Sequence, residues 1–162
     1  MRNKKSPKLN NLCWTVALVS VLGCGVQPHE HGKVGLEFEA ARSLVINGKF
    51  AEATQRLTQF IKDHPEHHLA PRATFLLGKS ALGSGDLEAA ETWFSKTTER
   101  FPDSEEAHKA KFKLALVSLL RQNEDDARAR FEALAADADG PYTPEATALA
   151  RFLAQREARD HP

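Results

Sequence analysis

The sequence predicts an all-α protein whose main part is an α-solenoid of three helix-turn-helix repeats, closed by a C-terminal capping helix. Three observations lead to this fold class. Residues of the same type recur at a constant offset of 37, glycines and prolines divide each copy into segments of helical length, and the last segment is amphipathic. Helix pairs that cannot bury their apolar faces alone are expected to stack on neighbouring pairs.

The repeat is clearest in the middle copy, which runs from Ala70 to Pro102. Its marked residues are a Leu-Gly pair, a glycine-rich turn, an alanine, a phenylalanine and a closing proline: Leu77, Gly78, Gly83, Gly85, Ala90, Phe94 and Pro102. A shift of 37 residues superimposes three sets of positions: Ala41, Gly78 and Ala115; Phe38, Phe75 and Phe112; Ala53, Ala90 and Ala127. Matches at several residue types in three copies indicate an internal repeat.

These residues resemble the tetratricopeptide repeat, whose signature is a Leu-Gly pair and an aromatic residue on the first helix, then Ala, Phe and Pro on the second. The resemblance covers residues 34–139, in repeats of about 34–69, 70–106 and 107–139. It implies a protein-binding solenoid, similar to the longer repeats of bacterial outer-membrane assembly lipoproteins and of a periplasmic protein associated with the Tol-Pal system.

The first 23 residues have the organisation of a lipoprotein signal peptide. Basic residues at positions 2 to 8 precede an apolar run from Leu12 to Leu22, which is too short to span a bilayer. The run ends at Cys24 in a pattern that resembles the bacterial lipobox, which implies a covalent lipid on this cysteine. An ordinary signal peptide and a short membrane anchor are the alternatives.

Residues 24–33 are expected to form the lipidated N-terminus and a polar tether. Two or more acyl chains are enough for stable membrane anchoring without a spanning helix. Gly25, rather than aspartate, follows the lipid cysteine, and by resemblance to the enterobacterial sorting rule this favours the outer membrane, facing the periplasm. The other cysteine, Cys13, is removed with the signal peptide, so packing alone has to hold the domain together.

Seven helices are predicted from the apolar pattern and its interruptions, over residues 34–47, 50–63, 71–83, 87–100, 104–121, 124–137 and 144–159. Asp86 and Ser104 are suited to cap the fourth and fifth helices. Thr143 is expected to cap the last, which we assign with its tail to residues 140–162 as a capping helix. Because this helix would cover the last repeat, we expect the chain to be complete.

Composition and motifs exclude several function classes. The 22 basic and 22 acidic residues give the chain no net charge, and therefore no positive field that would attract nucleic acid. The turn at Gly83 to Asp86 lacks the lysine and preceding strand of a phosphate loop, and no catalytic triad is recognisable. Histidines cluster at His29 and His31 and again at His64, His67 and His68; metal binding and solvated loops are the two interpretations. We predict no enzyme activity, no metal and no cofactor beyond the lipid.

The remaining candidate site is a surface. In tetratricopeptide superhelices the first helix of each pair lines the concave side, and this resemblance implies a groove formed by aromatic and basic residues: Phe38, Arg42, Arg72, Phe75, Lys79, Lys109 and Phe112. The basic residues would contact acidic groups or a C-terminal carboxylate of a peptide, and the phenylalanines would anchor apolar side chains. The alternative is that the phenylalanines are core and the basic residues ordinary solvated positions.

The sequence therefore predicts a monomeric, non-enzymatic adaptor that is lipid-anchored in the cell envelope and binds an envelope protein. Two other functions use the same scaffold. One is the regulation of a peptidoglycan or cell-wall enzyme, and the other is structural self-association through an open repeat end.

Overall fold

The fold consists of seven helices within the part of the chain that a computed structural model describes, residues 28–138 and 140–160; this part contains no strand. The helices are α1 Pro28–Ile46, α2 Phe50–Asp63, α3 Ala70–Gly83, α4 Leu87–Arg100, α5 Glu105–Leu120, α6 Glu124–Ala135 and α7 Thr143–Asp160. The predicted all-α fold class is confirmed.

The helices are arranged as three pairs, α1 with α2, α3 with α4 and α5 with α6, and each pair contacts the next. The short turns between paired helices make them antiparallel. The first helices also contact one another, α1 with α3 and α3 with α5. They therefore run side by side in the same direction, so that residues 37 positions apart lie at the same level of the solenoid.

The apolar core is divided into three clusters, each of which joins one repeat to the helix that follows it. In the third cluster, Ala115 and Phe131 of the last repeat pack with Ala146, Ala150 and Leu153 of α7. These α7 residues form the apolar stripe that the sequence predicts. The helix covers the end of the third repeat and removes its apolar face from water.

Gly78 allows α3 and α4 to approach closely. A Cβ atom at this position would lie 2.5 Å from Cε1 of Phe94, whose ring is fully buried. That distance is well inside van der Waals contact, so a larger side chain has to displace the ring. The equivalent residues of the other repeats, Ala41 and Ala115, are small and fully buried. The register of the repeat is confirmed at this contact.

Turns and caps also follow the sequence signals. Gly48 and Gly85, which end the turns after α1 and α3, have φ values of +71° and +81°, a conformation that glycine adopts at little cost. The Asp86 carboxylate accepts a hydrogen bond from the Ala89 N–H at 2.9 Å, and the Ser104 hydroxyl accepts one from the Ala107 N–H at 3.1 Å. Both predicted N-caps are confirmed.

Two predicted details are wrong. The first helix begins at Pro28 rather than at residue 34, so residues 28–33 are helical instead of belonging to a tether. Proline suits a first helical position because its fixed φ is already helical and its missing N–H has no partner there. Thr143 does not cap α7, because the helix already begins at this residue. Its hydroxyl donates towards the carbonyl oxygens of Asp137 and Gly140 in the preceding turn.

Over the described residues, none of the helices has both the length and the apolar character that crossing a bilayer requires.

Candidate functional site

A groove of about 680 Å³ runs along the first helices of the repeats. Its walls come from α1, α3 and α5, and the start of α2 closes one end. Five basic residues and one acidic residue line it: Arg42, Arg72, Lys79, Lys109, Lys113 and Glu106. The groove is thus a cationic concavity on the side of the solenoid that the first helices form.

Four of these basic residues are the ones that the sequence predicts for the groove, Arg42, Arg72, Lys79 and Lys109. They come together because the first helices are parallel and because Arg72 and Lys79 lie two turns apart on one face of α3. Arg42 and Lys79 occupy equivalent positions of adjacent repeats, as do Arg72 and Lys109. Sequence reasoning missed Lys113, although its position four residues after Lys109 places it on the same face of α5.

Two of the basic residues are held by neighbours on their own helices. Nε of Arg42 donates to Oε2 of Glu39 at 2.7 Å. Nζ of Lys109 lies 2.6 Å from Oε1 of Glu105 and 4.0 Å from Oε1 of Glu106. These are partly exposed pairs between residues three or four apart on one helix, which contribute only a few tenths of a kcal/mol to stability. A ligand carboxylate can therefore replace these partners at little cost.

The other basic residues have no acidic partner at ion-pair distance in the described part of the chain. Lys79 is exposed and Lys113 is half-buried. The Arg72 guanidinium lies over the ring of Phe38, with 5.7 Å between Cζ and the ring centroid, an arrangement of cation–π type. Three positive charges in the groove are therefore not neutralised by contacts within this part of the protein.

The carboxyl group of Glu105 is affected by the basic residues of the groove. A hydrogen bond from Lys109 lowers the pKa of its carboxyl group below the ordinary value, and the charges of Lys109 and Arg72 lower it further. Burial of a carboxylate would raise its pKa, so the lowering comes from the basic residues. An exposed carboxylate is thus favoured in its ionised form beside Lys109 and Arg72.

One end of the groove is apolar. Val45, Leu82 and the half-buried Phe50 line it together with Ile46, whose side chain is 67% exposed. The ring of Phe50 lies where a side chain at Gly83 would otherwise be. Sequence reasoning did not identify Ile46 or Phe50, because Phe50 belongs to a second helix and neither residue repeats at the 37-residue offset.

Two of the three predicted phenylalanines, Phe38 and Phe75, are buried core residues, and Phe112 is half-buried and packs against the third cluster. Phe38 is 0% exposed and packs against Phe60, and Phe75 is 8% exposed and packs against Phe94. Phe112 packs against Phe131 and stacks on Tyr142 at a centroid distance of 4.9 Å, away from the groove lining. Of the three, only Phe75 contributes to the wall. The expectation that they anchor a ligand is therefore replaced by the core interpretation for Phe38 and Phe112.

The histidines lie elsewhere. His64 Nε2 is 3.5 Å from Oε2 of Glu37, and the rings of His67 and His68 have centroids 4.2 Å apart in the turn between the first two repeats. Within the described residues, no group of three or more His, Cys, Asp or Glu side chains is arranged to hold a metal ion. Cys24 and the side chains of His29 and His31 fall outside the described part.

The family model described as tetratricopeptide repeat matches the chain twice, over residues 38–105 and 75–143. The two matches overlap in the middle repeat and together extend from the middle of α1 to the start of α7. No curated protein matches the chain.

Proposed function

The chain belongs to the tetratricopeptide repeat family, whose repeats generally mediate protein–protein interaction, and on this premise we propose that it is a non-enzymatic adaptor binding a partner protein in the groove of its first helices. The observation that supports this most directly is the groove lining, which combines five basic residues with a single acidic one. A concave surface with excess positive charge favours a segment with carboxylate groups.

The rest of the mature chain makes this groove distinctive. After the four basic residues of the signal peptide are removed, acidic residues exceed basic residues by about four. The positive charge of the groove therefore stands out on a protein with negative net charge. Such local contrast steers an acidic segment to one place on the surface and disfavours binding elsewhere.

Charge reversal in the groove tests this proposal. Arg72→Glu combined with Lys79→Glu is expected to weaken partner binding at least tenfold, because two attractive contacts become repulsive. Both side chains are exposed, so the domain should keep its helical circular dichroism spectrum and unfolding midpoint. The matched control is Arg56→Glu with Lys62→Glu, which makes the same charge change on α2 outside the groove.

The partner for this measurement is found by site-specific crosslinking. A benzophenone side chain in place of the exposed Ile46 lies in the groove, and one in place of Arg56 lies outside it. We expect a crosslinked partner from Ile46 that is absent from Arg56 and lost in the Arg72→Glu and Lys79→Glu background. Equal crosslinking from both positions, or an undiminished product in that background, would reject the groove as the binding site.

We further propose that the adaptor is a lipoprotein held in the cell envelope through Cys24, on the periplasmic face of the outer membrane. The support is the sequence alone: the basic segment, the short apolar run and the cysteine that ends it. Membrane fractionation of cells that express the full chain and its Cys24→Ala variant tests this. Release of the variant from the membrane is expected, and an unchanged membrane fraction would overturn the lipid anchor.

A further inference from the structure

Helix α7 takes the position of the first helix of a fourth pair. It packs on α6 as α3 packs on α2 and as α5 packs on α4. Its buried residues lie 73 positions after buried residues of α3: Ala146, Ala150 and Leu153 correspond to Ala73, Leu77 and Ser80. Each of the other first helices also packs against an antiparallel second helix of its own pair. Within the described residues, α7 has no such partner.

The side of α7 that faces away from α6 is exposed along the whole helix. Five exposed residues follow one another there in alternating steps of three and four, and we call them the outer stripe: Glu145, Ala148, Phe152, Gln155 and Arg159. This is the heptad spacing that keeps side chains on one face of a helix. Ala148 lies 73 positions after Phe75, whose ring packs against Phe94 of α4. The outer stripe is therefore on the side where the second helix of a pair would lie.

An aromatic side chain lies at the centre of the outer stripe. Phe152 is 52% exposed, although it is in the middle of a helix. A single exposed aromatic ring is common on protein surfaces and does not by itself indicate a contact. The arrangement of charges around Phe152 is the feature that indicates one.

The charges of the outer stripe are placed symmetrically about Phe152. Glu145 lies seven residues before it and Arg159 lies seven residues after it, which is about 10 Å in each direction along the helix axis. Neither has an oppositely charged partner at ion-pair distance among the described side chains. If a second α7 lies antiparallel with Phe152 on the twofold axis, Glu145 of each copy meets Arg159 of the other. A parallel pair would bring like charges together, so the pattern favours the antiparallel one.

We propose that the chain forms a homodimer through α7, in which the two copies of this helix pack antiparallel along the outer stripe. The Phe152 rings contact each other on the twofold axis, and Glu145 and Arg159 pair at both ends of the contact. Each α7 thereby supplies the antiparallel helix that the other lacks. The dimer differs from the monomer that the sequence predicts. Because α7 does not line the groove, the dimer carries two grooves that can act together on one partner.

Cysteine crosslinking of the full chain in cells tests where the two copies meet. Phe152→Cys should give a crosslinked dimer with a short bis-maleimide, because the two positions lie together on the twofold axis. Ala154→Cys is the matched control, since it is exposed on the same helix but outside the outer stripe. The wild-type chain, which contains Cys13 and Cys24, gives the background. A product from Phe152→Cys no stronger than that from Ala154→Cys would overturn the proposal.

The same method tests the direction of the helices. The two copies of Glu145→Cys should not crosslink to each other, because they would be about 20 Å apart along the helix axis. Co-expressed chains that carry Glu145→Cys and Arg159→Cys should crosslink to one another. Crosslinking of Glu145→Cys to itself as strongly as Phe152→Cys would mean a parallel pair, which contradicts the proposed dimer.

Sedimentation equilibrium of the purified full chain in mild detergent measures the affinity. One helix from each copy makes a small interface, so we expect a dissociation constant in the micromolar range. Phe152→Ser, Glu145→Arg and Arg159→Glu should each raise it about tenfold. Glu145→Arg combined with Arg159→Glu should restore it, because the exchanged charges attract again in an antiparallel pair. The matched control is the same exchange at an exposed pair of α2, Glu52→Arg with Arg56→Glu.

Three results would reject the dimer. The first is a wild-type chain that stays monomeric throughout the micromolar range, and the second is a double charge exchange that does not recover the affinity of wild type. The third is a Phe152→Cys crosslink to another protein instead of to a second copy. Arg72→Glu with Lys79→Glu should leave the dimer unchanged, so a failure of the groove proposal is distinguishable from a failure of this one. All altered side chains are exposed, and circular dichroism spectra of the variants verify the fold.

Discussion

The two junctions between repeats use different chemistry at equivalent positions. At the first junction, between the α1/α2 and α3/α4 pairs, Trp93 of α4 packs against both the first and the second apolar clusters. At the second junction, between α3/α4 and α5/α6, the residue 37 positions later is Arg130, whose Nε lies 2.7 Å from Oδ2 of Asp126. The indole ring at the first junction is thus replaced by a guanidinium group that pairs with Asp126 of its own helix and with Glu91 of α4.

The charged junction is a connected network. Ser118 donates to Oδ2 of Asp126 at 2.5 Å, Arg130 also lies 3.9 Å from Glu91, and Glu91 accepts from Arg121. The equivalent residues at the first junction carry no charge: Ala81 for Ser118, Ala89 for Asp126, Thr54 for Glu91 and Ser84 for Arg121. Both junctions contain a buried apolar cluster, and the second junction adds a partly exposed network of polar contacts that the first one lacks at the equivalent positions.

This difference implies different responses to solution conditions. Apolar burial depends little on pH and is not weakened by NaCl, whereas partly exposed ion pairs are screened by salt and lost when a carboxylate is protonated. Breaking each junction separately should therefore give effects of different size and different dependence on conditions.

The largest effect is expected from a substitution that disturbs both junctions together. Gly78→Leu inserts a side chain into the position of the Phe94 ring in the middle repeat, which both junctions flank. We expect a loss of about 3 kcal/mol in the free energy of unfolding, measured in urea. Gly35→Leu is the control, because a Cβ atom there meets nothing within 4 Å. Similar losses for both variants would contradict the close helix approach at Gly78.

The first junction is broken by Trp93→Ala. The ring is half-buried and packs on two clusters, so its removal leaves a cavity and should cost about 2 kcal/mol, less than for a fully buried tryptophan. The loss should be the same at low and at high salt, because no ion pair is removed. A loss that shrinks markedly in 1 M NaCl would mean that the contact of Lys96 with the ring, 4.3 Å from the Nζ atom, dominates instead.

The network at the second junction is weakened by Asp126→Asn, which keeps the shape of the side chain and removes its charge, so that Ser118 and Arg130 lose a charged acceptor. Two hydrogen bonds to a carboxylate are weakened, but the side chain is 38% exposed, so we expect a loss of about 1 kcal/mol. Urea unfolding at two salt concentrations should show a smaller difference from wild type at the higher one. If the stability difference between wild type and Asp126→Asn is the same at both salt concentrations, the network is not screened by salt, and this expectation is wrong.

The same variant gives a pH test. The hydrogen bond from Ser118, followed by that from Arg130, lowers the pKa of Asp126 below its ordinary value. A carboxyl group whose pKa is lower in the folded state than in the unfolded state stabilises the fold at every pH above its unfolded-state pKa of about 3.9. This stabilisation is lost as the pH falls through the folded-state pKa. The difference between wild type and Asp126→Asn should therefore vanish in acid, whereas the Trp93→Ala difference should persist.

The fold can be predicted well from the sequence, whereas the groove can be predicted only in part. The difference is between features that depend on local sequence and features that depend on contacts between repeats. Helix pairs, turns and caps depend on periodic residues such as Gly78, Gly85 and Asp86, whose roles are local and can be read from spacing. Which side of a first helix a residue faces is harder to predict, because a shift of one position rotates a side chain by about 100°. Phe38 is for this reason core and not groove. Phe50 and the Ser118 network depend on contacts between repeats, which the repeat period does not encode.

The smallest effect concerns a turn at the charged junction, where the third copy departs from the other two. Gln122 is equivalent to Gly48 and Gly85 and shares their left-handed backbone, with φ of +61°. A residue with a Cβ atom is strained in this conformation by about 1 kcal/mol, and glycine removes this strain. Glycine also loses more chain entropy on folding, which offsets part of the gain. Gln122→Gly should therefore raise the free energy of unfolding by about 0.5 kcal/mol. Gln122→Ala retains the strain and should give no such gain in a urea titration. Arg121 and Asn123 flank this turn and belong to the charged junction. If the gain in the free energy of unfolding from Gln122→Gly disappears in the Asp126→Asn background, the network itself holds the strained turn in place.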